Sequence, residues 1–382
     1  MHLGAVASDG RRSLYFHSCA PVSIFAEKEK IMPTLVSQPA TLCFSSAIDD
    51  IVFSTQSEDG VLILDLTCGG NRVNILEETM YPSLDSRIVI SDLSSLVEPY
   101  AREHLQVTLE CSFTDGNGSV AISPVTVLYA MADVDTTASA FTQNHFLSIL
   151  SGEKLTAMGR AERIHAYGVN KVTVRADVRL ANGTFNVLSA ELNATDHDGS
   201  VYHFDVSPSN VSTLLELTTQ KLLAYTVEAG TRKQDFRVVE DQVPPAPSLL
   251  FINSFGFEEF LHCVGTHKKE SKYDRKQVRV LGRLKNYRIT EDRQFTANTG
   301  WLNEAMADWA DDLFRSESVF LWVNGVVGRE VVLSDSKSEI TNEDDNMPAF
   351  EFTYTYAQRI HNVLYSGRVS RIFDNTFDRT FN

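Results

Sequence analysis

Val172-Thr-Val-Arg-Ala-Asp-Val-Arg-Leu180 alternates apolar and polar residues along its whole length. Successive side chains of an extended chain point to opposite faces, so a period of two marks a half-buried β-strand. Asn182-Gly183 follows, and both residues tolerate the positive φ of a two-residue hairpin turn. Phe185-Asn-Val-Leu188 then resumes the strand pattern. The stretch therefore predicts a β-hairpin with one face in a core, and its neighbours repeat the pattern. Phe146-Leu-Ser-Ile-Leu150 and Ile164-His-Ala-Tyr167 precede it as expected strands. Val201 to Val206, Lys221 to Val227 and Asp235 to Val239 follow, the last two joined by the turn Glu228-Ala-Gly230. Residues 141–243 are expected to form an immunoglobulin-like or fibronectin-like sandwich.

Upstream, residues 41–140 read the same way. Ile48 to Phe53, Val61 to Leu66, Arg72 to Leu76, Arg87 to Ile90, Gln106 to Phe113, Val120 to Ile122 and Val125 to Tyr129 are strand-like, with turns at Glu58-Asp-Gly60 and Asp115-Gly-Asn-Gly118. Leu93, Leu96, Val97 and Tyr100 fall at helical spacing behind Ser91-Asp92, an expected N-cap, and Pro99 is expected to keep that helix short. This predicts a first sandwich. Residues 1–40 lack a period and read as an N-terminal arm.

Downstream, Pro244, Pro245 and Pro247 make residues 244–248 a stiff linker. Beyond it, residues 249–356 mix the two periods. Gln277 to Val280 and Tyr287 to Ile289 are strands. Leu302, Met306, Trp309 and Leu313 form one apolar helical stripe, with Asn298 or Thr299 as the expected cap. Val319 to Val323, Asn324-Gly325 and Val326 to Leu333 predict a hairpin, and Phe350 to Tyr356 alternates. Residues 357–382 read as a C-terminal arm. The expected architecture is mainly β and multidomain: two immunoglobulin-like β-sandwich domains, then an α+β domain with one main helix packed on a sheet.

The 382 residues carry a formal net charge of −16 and are 43% hydrophobic. That composition supports sizeable cores, and its acidity disfavours a general nucleic-acid binder, which must neutralise phosphates. The five cysteines, Cys19, Cys43, Cys68, Cys111 and Cys263, are odd in number and widely spaced, so they read as free thiols, which suits synthesis in bacterial cytosol. No apolar run is long enough to span a membrane as a helix.

Motifs that carry chemistry are few. Asp196-His-Asp-Gly199 opens like a calcium loop, but Ser207 stands where the twelfth-position Glu is needed, so it reads as a turn. Asn342-Glu-Asp-Asp345 reads as a solvated acidic loop. His262, Cys263 and His267 lack the remaining ligands of a zinc site, and adjacent strand residues cannot act as nucleophile and base. No hydrolase nucleophile motif, P-loop or dinucleotide fingerprint occurs. No catalytic residue, metal site or cofactor is therefore expected, and a hydrolase with an unrecognised carboxylate pair is the weakest reading.

What stands out is charge. Ten Lys or Arg residues lie between Lys268 and Arg293 against four acids. An interface is expected there, built on Lys268, Lys269, Lys272, Arg275, Lys276, Arg279 and Arg283. Its expected complement in the same module is Asp308, Asp311, Asp312, Asp344 and Asp345. Opposite charges on one module favour head-to-tail contact between copies. A solvated strand face is the bland alternative, and nucleic-acid contact ranks behind both.

The chain also resembles phage and prophage tail structural proteins of Bacteroides-type bacteria. The residues that carry the resemblance are Tyr81-Pro-Ser-Leu-Asp85 running into Ser91-Asp-Leu-Ser-Ser-Leu96, Ala224 to Arg232, and Phe251-Ile-Asn-Ser-Phe-Gly-Phe-Glu-Glu-Phe260. Thr296-Ala-Asn-Thr-Gly300, Asp312-Leu-Phe-Arg-Ser316 and Phe350-Glu-Phe-Thr-Tyr354 complete the set. The resemblance implies a non-enzymatic distal-tail or baseplate component, made in the bacterial cytoplasm. It would form or connect a ring at the tail tip or baseplate through homo-oligomeric contacts, with other tail proteins as further partners. The alternative expectation is a carbohydrate-binding or adhesin-like surface protein. Trp301 would be its one free aromatic platform, since Trp309 and Trp322 read as core.

Overall fold

The computed structural model describes residues 31–240, 246–336 and 347–358. Its first unit contains β1 (Thr34–Ser37), β2 (Leu42–Phe44), β3 (Ile51–Ser54), β4 (Gly60–Cys68), β5 (Asn71–Met80), β6 (Arg87–Ile90), α1 (Leu93–His104), β7 (Gln106–Asp115), β8 (Gly118–Ala121) and β9 (Val125–Leu128). The sheet β1-β3-β6 faces the sheet β2-β9-β7-β4-β5, with β8 beside β7. Phe53 and Ile88 from one sheet meet Leu62, Leu64, Leu109 and Phe113 from the other. Leu93, Val97 and Ala101 of α1 close the same core.

Three local expectations change in this unit. Residues 31–40 do not all belong to an arm, because Thr34–Ser37 pairs antiparallel with β3 and Leu35 packs on the core. Helix α1 runs five residues past Pro99, whose exposed ring forfeits one backbone bond while the buried face continues through Ala101. Asp92 stands at its N-cap with φ 58°, but its side chain caps nothing.

The second unit contains α2 (Ala138–Asn144), β10 (Lys154–Thr156), β11 (Arg163–Tyr167), β12 (Lys171–Arg179), β13 (Phe185–Asn193), β14 (Asp196–Asp198), β15 (Val201–Asp205), α3 (Pro208–Leu214), β16 (Lys221–Ala229) and β17 (Arg232–Val238). The sheets β10-β17-β16-β12-β13 and β11-β15-β14 sandwich Val174, Ala176, Phe204, Tyr225 and Phe236. Strand β12 buries every second residue, as its alternation predicts. The boundary drawn at residue 140 falls inside α2. Phe146 to Leu150 is not a strand. It is a staple between cores: Phe146 enters the second, Leu147 a junction core, and Ile149 and Leu150 pack on the third.

The third unit contains β18 (Ser248–Ile252), β19 (Glu258–His262), β20 (His267–Val280), β21 (Arg283–Asn298), α4 (Glu304–Arg315), β22 (Val319–Val323), β23 (Val326–Ser336) and β24 (Glu351–Tyr356). Its antiparallel sheet runs β19-β18-β22-β23-β24-β21-β20. Helix α4 packs on one face through Met306, Trp309 and Leu313. Its cap is Asn303, not Asn298 or Thr299, because the Asn303 side chain accepts from the Met306 N–H at 2.8 Å. Asn324 and Gly325 both take positive φ in the predicted β22–β23 turn. Of the expected linker, residues 244 and 245 lie outside the described residues and Ser248 already begins β18. Most of the C-terminal arm, residues 359–382, also lies outside them.

The units are joined by buried contacts. Phe44 and Leu128 of the first, Ala138 and Val201 of the second, and Phe255 and Phe257 of the third share one core. Between the second and third units lies a buried polar network. Lys154 Nζ sits 2.6 Å from Glu162 Oε2, donates to the Phe260 carbonyl at 2.9 Å and stands 4.4 Å from the Trp309 ring centroid. Trp309 donates in turn to Glu259.

A projecting basic hairpin as candidate interaction site

Strands β20 and β21 pair with each other from His267↔Ala297 to Val280↔Arg283. Only residues 295–298 of β21 also pair with β24. Beyond Phe295 the two strands form a ribbon with both edges free among the described residues. Its length is about 35–40 Å at roughly 3.4 Å per residue. Leu281 (φ 49°) and Gly282 (φ 79°) make the tip, with two consecutive positive φ angles as a tight primed turn requires. The stem is anchored by Phe295, stacked on Tyr354 at 5.0 Å, and by His267, bonded to the Tyr354 hydroxyl at 2.9 Å.

The seven predicted basic interface residues, Lys268, Lys269, Lys272, Arg275, Lys276, Arg279 and Arg283, all lie on this ribbon and all are exposed. They do not form one strand face. Register places Lys272, Lys276, Arg283 and Arg288 on one side, and Arg275 and Arg279 on the other. Charge is balanced near the stem and unbalanced near the tip. In the stem Lys272 faces Asp292, and Arg293 pairs with Glu291 at 2.6 Å, which holds that carboxyl below its usual range. Residues 275–288 carry six Lys or Arg and no acid. Lys276 lies directly opposite Arg288, a like-charge cross-strand pair that destabilises an isolated ribbon.

The tip is also apolar. Leu281 is 98% exposed, and Val278, Val280, Leu284, Tyr287 and Ile289 are exposed with it. A two-stranded hairpin alone is marginal in water, and this one adds unpaired charge and bare apolar side chains. These features make the arm the candidate interaction surface of the described residues.

The predicted acidic complement is not assembled as expected. Asp308 is exposed and Asp311 half-buried, whereas Asp312 is buried, with its carboxylate accepting from the Ser254 N–H and hydroxyl. Burial, with Glu259 nearby, pushes the Asp312 carboxyl up to about 6. Asp344 and Asp345 lie outside the described residues. Sequence reading missed that the two basic strands are one free-standing arm. The signal was Arg279-Val-Leu-Gly-Arg283, a turn disguised by a leucine where Asn is usual.

The other candidates resolve into structural roles. His262 and Cys263 point apart. His262 Nε2 bonds the Ala161 carbonyl at 2.9 Å, while Cys263 lies in the third core, where burial pushes its thiol up to about 12. Burial also drives His262 down to about 3. Asp198 forms part of the β14–β15 hairpin and bonds His203. Cys43, Cys68, Cys111 and Cys263 are free and buried. Among the described residues no three His, Cys, Asp or Glu are placed to hold a metal ion, and no helix is long and apolar enough to cross a membrane. Trp309 is buried, and Trp322, expected in the core, is half-buried edge-on to Phe260. Trp301 is 71% exposed.

No family model and no curated protein matches the chain. Solved structures similar to it include the fibronectin(III)-like modules of Clostridium thermocellum CbhA, at 10% identity over 54% of this chain and 94% of that one, with TM-score 0.17. A 1.5-MDa bacterial ice-binding adhesin is similar at 9% identity over 70% and 92%, with TM-score 0.15. The insect immune protein hemolin is similar at 12% identity over 71% and 73%, with TM-score 0.17. At such scores these similarities carry no argument about function.

Proposed function

We propose that the chain is a non-enzymatic structural protein that assembles with copies of itself through the β20–β21 arm. The observation that carries this reading is the arm itself: a projecting ribbon with an unneutralised basic tip and bare apolar side chains. On a chain of net charge −16, such a tip is attracted to another copy, and a head-to-tail contact closes into a ring where the rotation permits. The setting proposed from the sequence resemblance is a phage or prophage tail tip or baseplate, with other tail proteins as neighbours. Native mass tests the assembly. The wild-type chain is expected to be oligomeric at low salt, and Arg279→Glu/Arg283→Glu is expected to lower its mass without changing thermal unfolding. A wild-type monomer, or an unchanged mass in the double variant, removes the reading.

The exposed Trp301 supports a second reading, an adhesin-like protein whose indole stacks on a sugar. A glycan array without hits would sink it.

A further inference from the structure

We propose that the arm of one copy docks edge-on against the free edge of β5 in the first unit of a second copy and extends that sheet by the arm's two strands. This rests on the arm being the assembly device, and it names the surface that receives it. Strand β5 is the last strand of its sheet and, among the described residues, pairs only with β4. Its outer N–H and C=O groups form a row that a further strand can satisfy. No proline and no lysine guards this edge, and past the bulge at Leu64/Asp65 the segment 76–80 pairs regularly with β4.

Charge selects the occupant. Residues 31–140 contain fifteen acidic residues against three basic ones, so the first unit carries most of the chain's negative charge. Four exposed acids gather at one end of the edge. Glu77 and Glu78 belong to β5, and Glu58 and Asp59 enter β4 beside it, because Gly60 registers with Met80. Exposed Tyr81 and Leu84 follow directly. The arm presents the complement in matching form: free strand edges, six basic residues without an acid, and Leu281 and Leu284 at the tip. The α4 face expected from sequence is the poorer receptor, since Asp312 is buried and bonded to Ser254. Donor and receptor lie on different units, so the contact is head-to-tail and each copy offers one of each.

Sedimentation of the full chain tests this with two variants, the arm variant Arg279→Glu/Arg283→Glu and the edge variant Glu77→Lys/Glu78→Lys. Each alone is expected to lose assembly at concentrations where the wild type is oligomeric, with unchanged thermal unfolding. An equimolar mixture is expected to assemble again into alternating oligomers, because the intact arm of one variant meets the intact edge of the other and the reversed arm meets the reversed edge. A chain with all four reversals is expected to assemble again. If the edge variant unfolds more easily, Glu58→Lys/Asp59→Lys in the exposed turn decides the question instead. An edge variant of wild-type mass beside a monomeric arm variant overturns the β5 receptor and leaves the arm reading standing. A monomeric wild type overturns both.

Discussion

Asp312 shows how one residue's environment reverses its sequence reading. As one acid among several on α4, it looks like part of a charged face. Yet it lies three residues beyond Trp309 and so shares the helix's buried side. The loop residue Ser254 supplies the donors that make burial tolerable. Burial is the main reason its carboxyl rises to about 6, above the ordinary 3.8. A carboxyl raised on folding binds its proton more tightly in the native state. It therefore stabilises the fold below pH 4 and loses that contribution as pH rises through 6. Between pH 5 and 8 this amounts to roughly 1–1.5 kcal/mol of lost stability. Asp312→Asn is expected to remove that part of the pH dependence, read from denaturant unfolding at the two pH values. An unchanged slope with pH would show that other groups set it.

At the level of elements, alternation made most strands of the two sandwiches legible, because strands such as β7 and β12 there have one wet and one dry face. The arm was not legible as an element. Both its faces are wet, so no period separates them, and its strands were read as fragments. The staple at Phe146 to Leu150 failed for the opposite reason, since an apolar run shared between three cores imitates a buried strand. Helix α4 was legible from its stripe but not from its cap. Asn303 serves two partners, accepting from Met306 N–H and donating to the Glu153 carbonyl at 2.7 Å across the unit boundary. Asn303→Ala removes both bonds and is expected to cost about 1–2 kcal/mol. Asn303→Asp keeps the acceptor and loses only the donor, so it is expected to cost less. Chemical denaturation of both variants checks the order, and equal losses would show that the bond to Glu153, not the cap, matters.

For the molecule as a whole, the sequence concealed how its units are joined, because buried charges look like surface charges until their partners are known. Lys154 is 4% exposed and Glu162 fully buried, at the boundary between the second and third units. Burial raises the Glu162 carboxyl, and Lys154 opposes that rise. Replacing the lysine alone leaves a buried carboxylate without its counter-ion, and Lys154→Met is expected to cost about 3–5 kcal/mol near neutral pH. The sign of its pH dependence follows. With the counter-ion gone, the native carboxyl holds its proton still more tightly than the unfolded one does. The loss is therefore smallest below the unfolded carboxyl range and grows as pH rises through the raised native value. Lys154→Met/Glu162→Leu removes both charges and is expected to recover much of the loss. The Phe260 carbonyl remains without its donor, so recovery stays incomplete. A double-mutant cycle by urea unfolding measures the coupling. Additive losses would mean that the pair does not act as a unit, and that the junction depends on its other contacts, the apolar core around Phe255 and Phe257 among them.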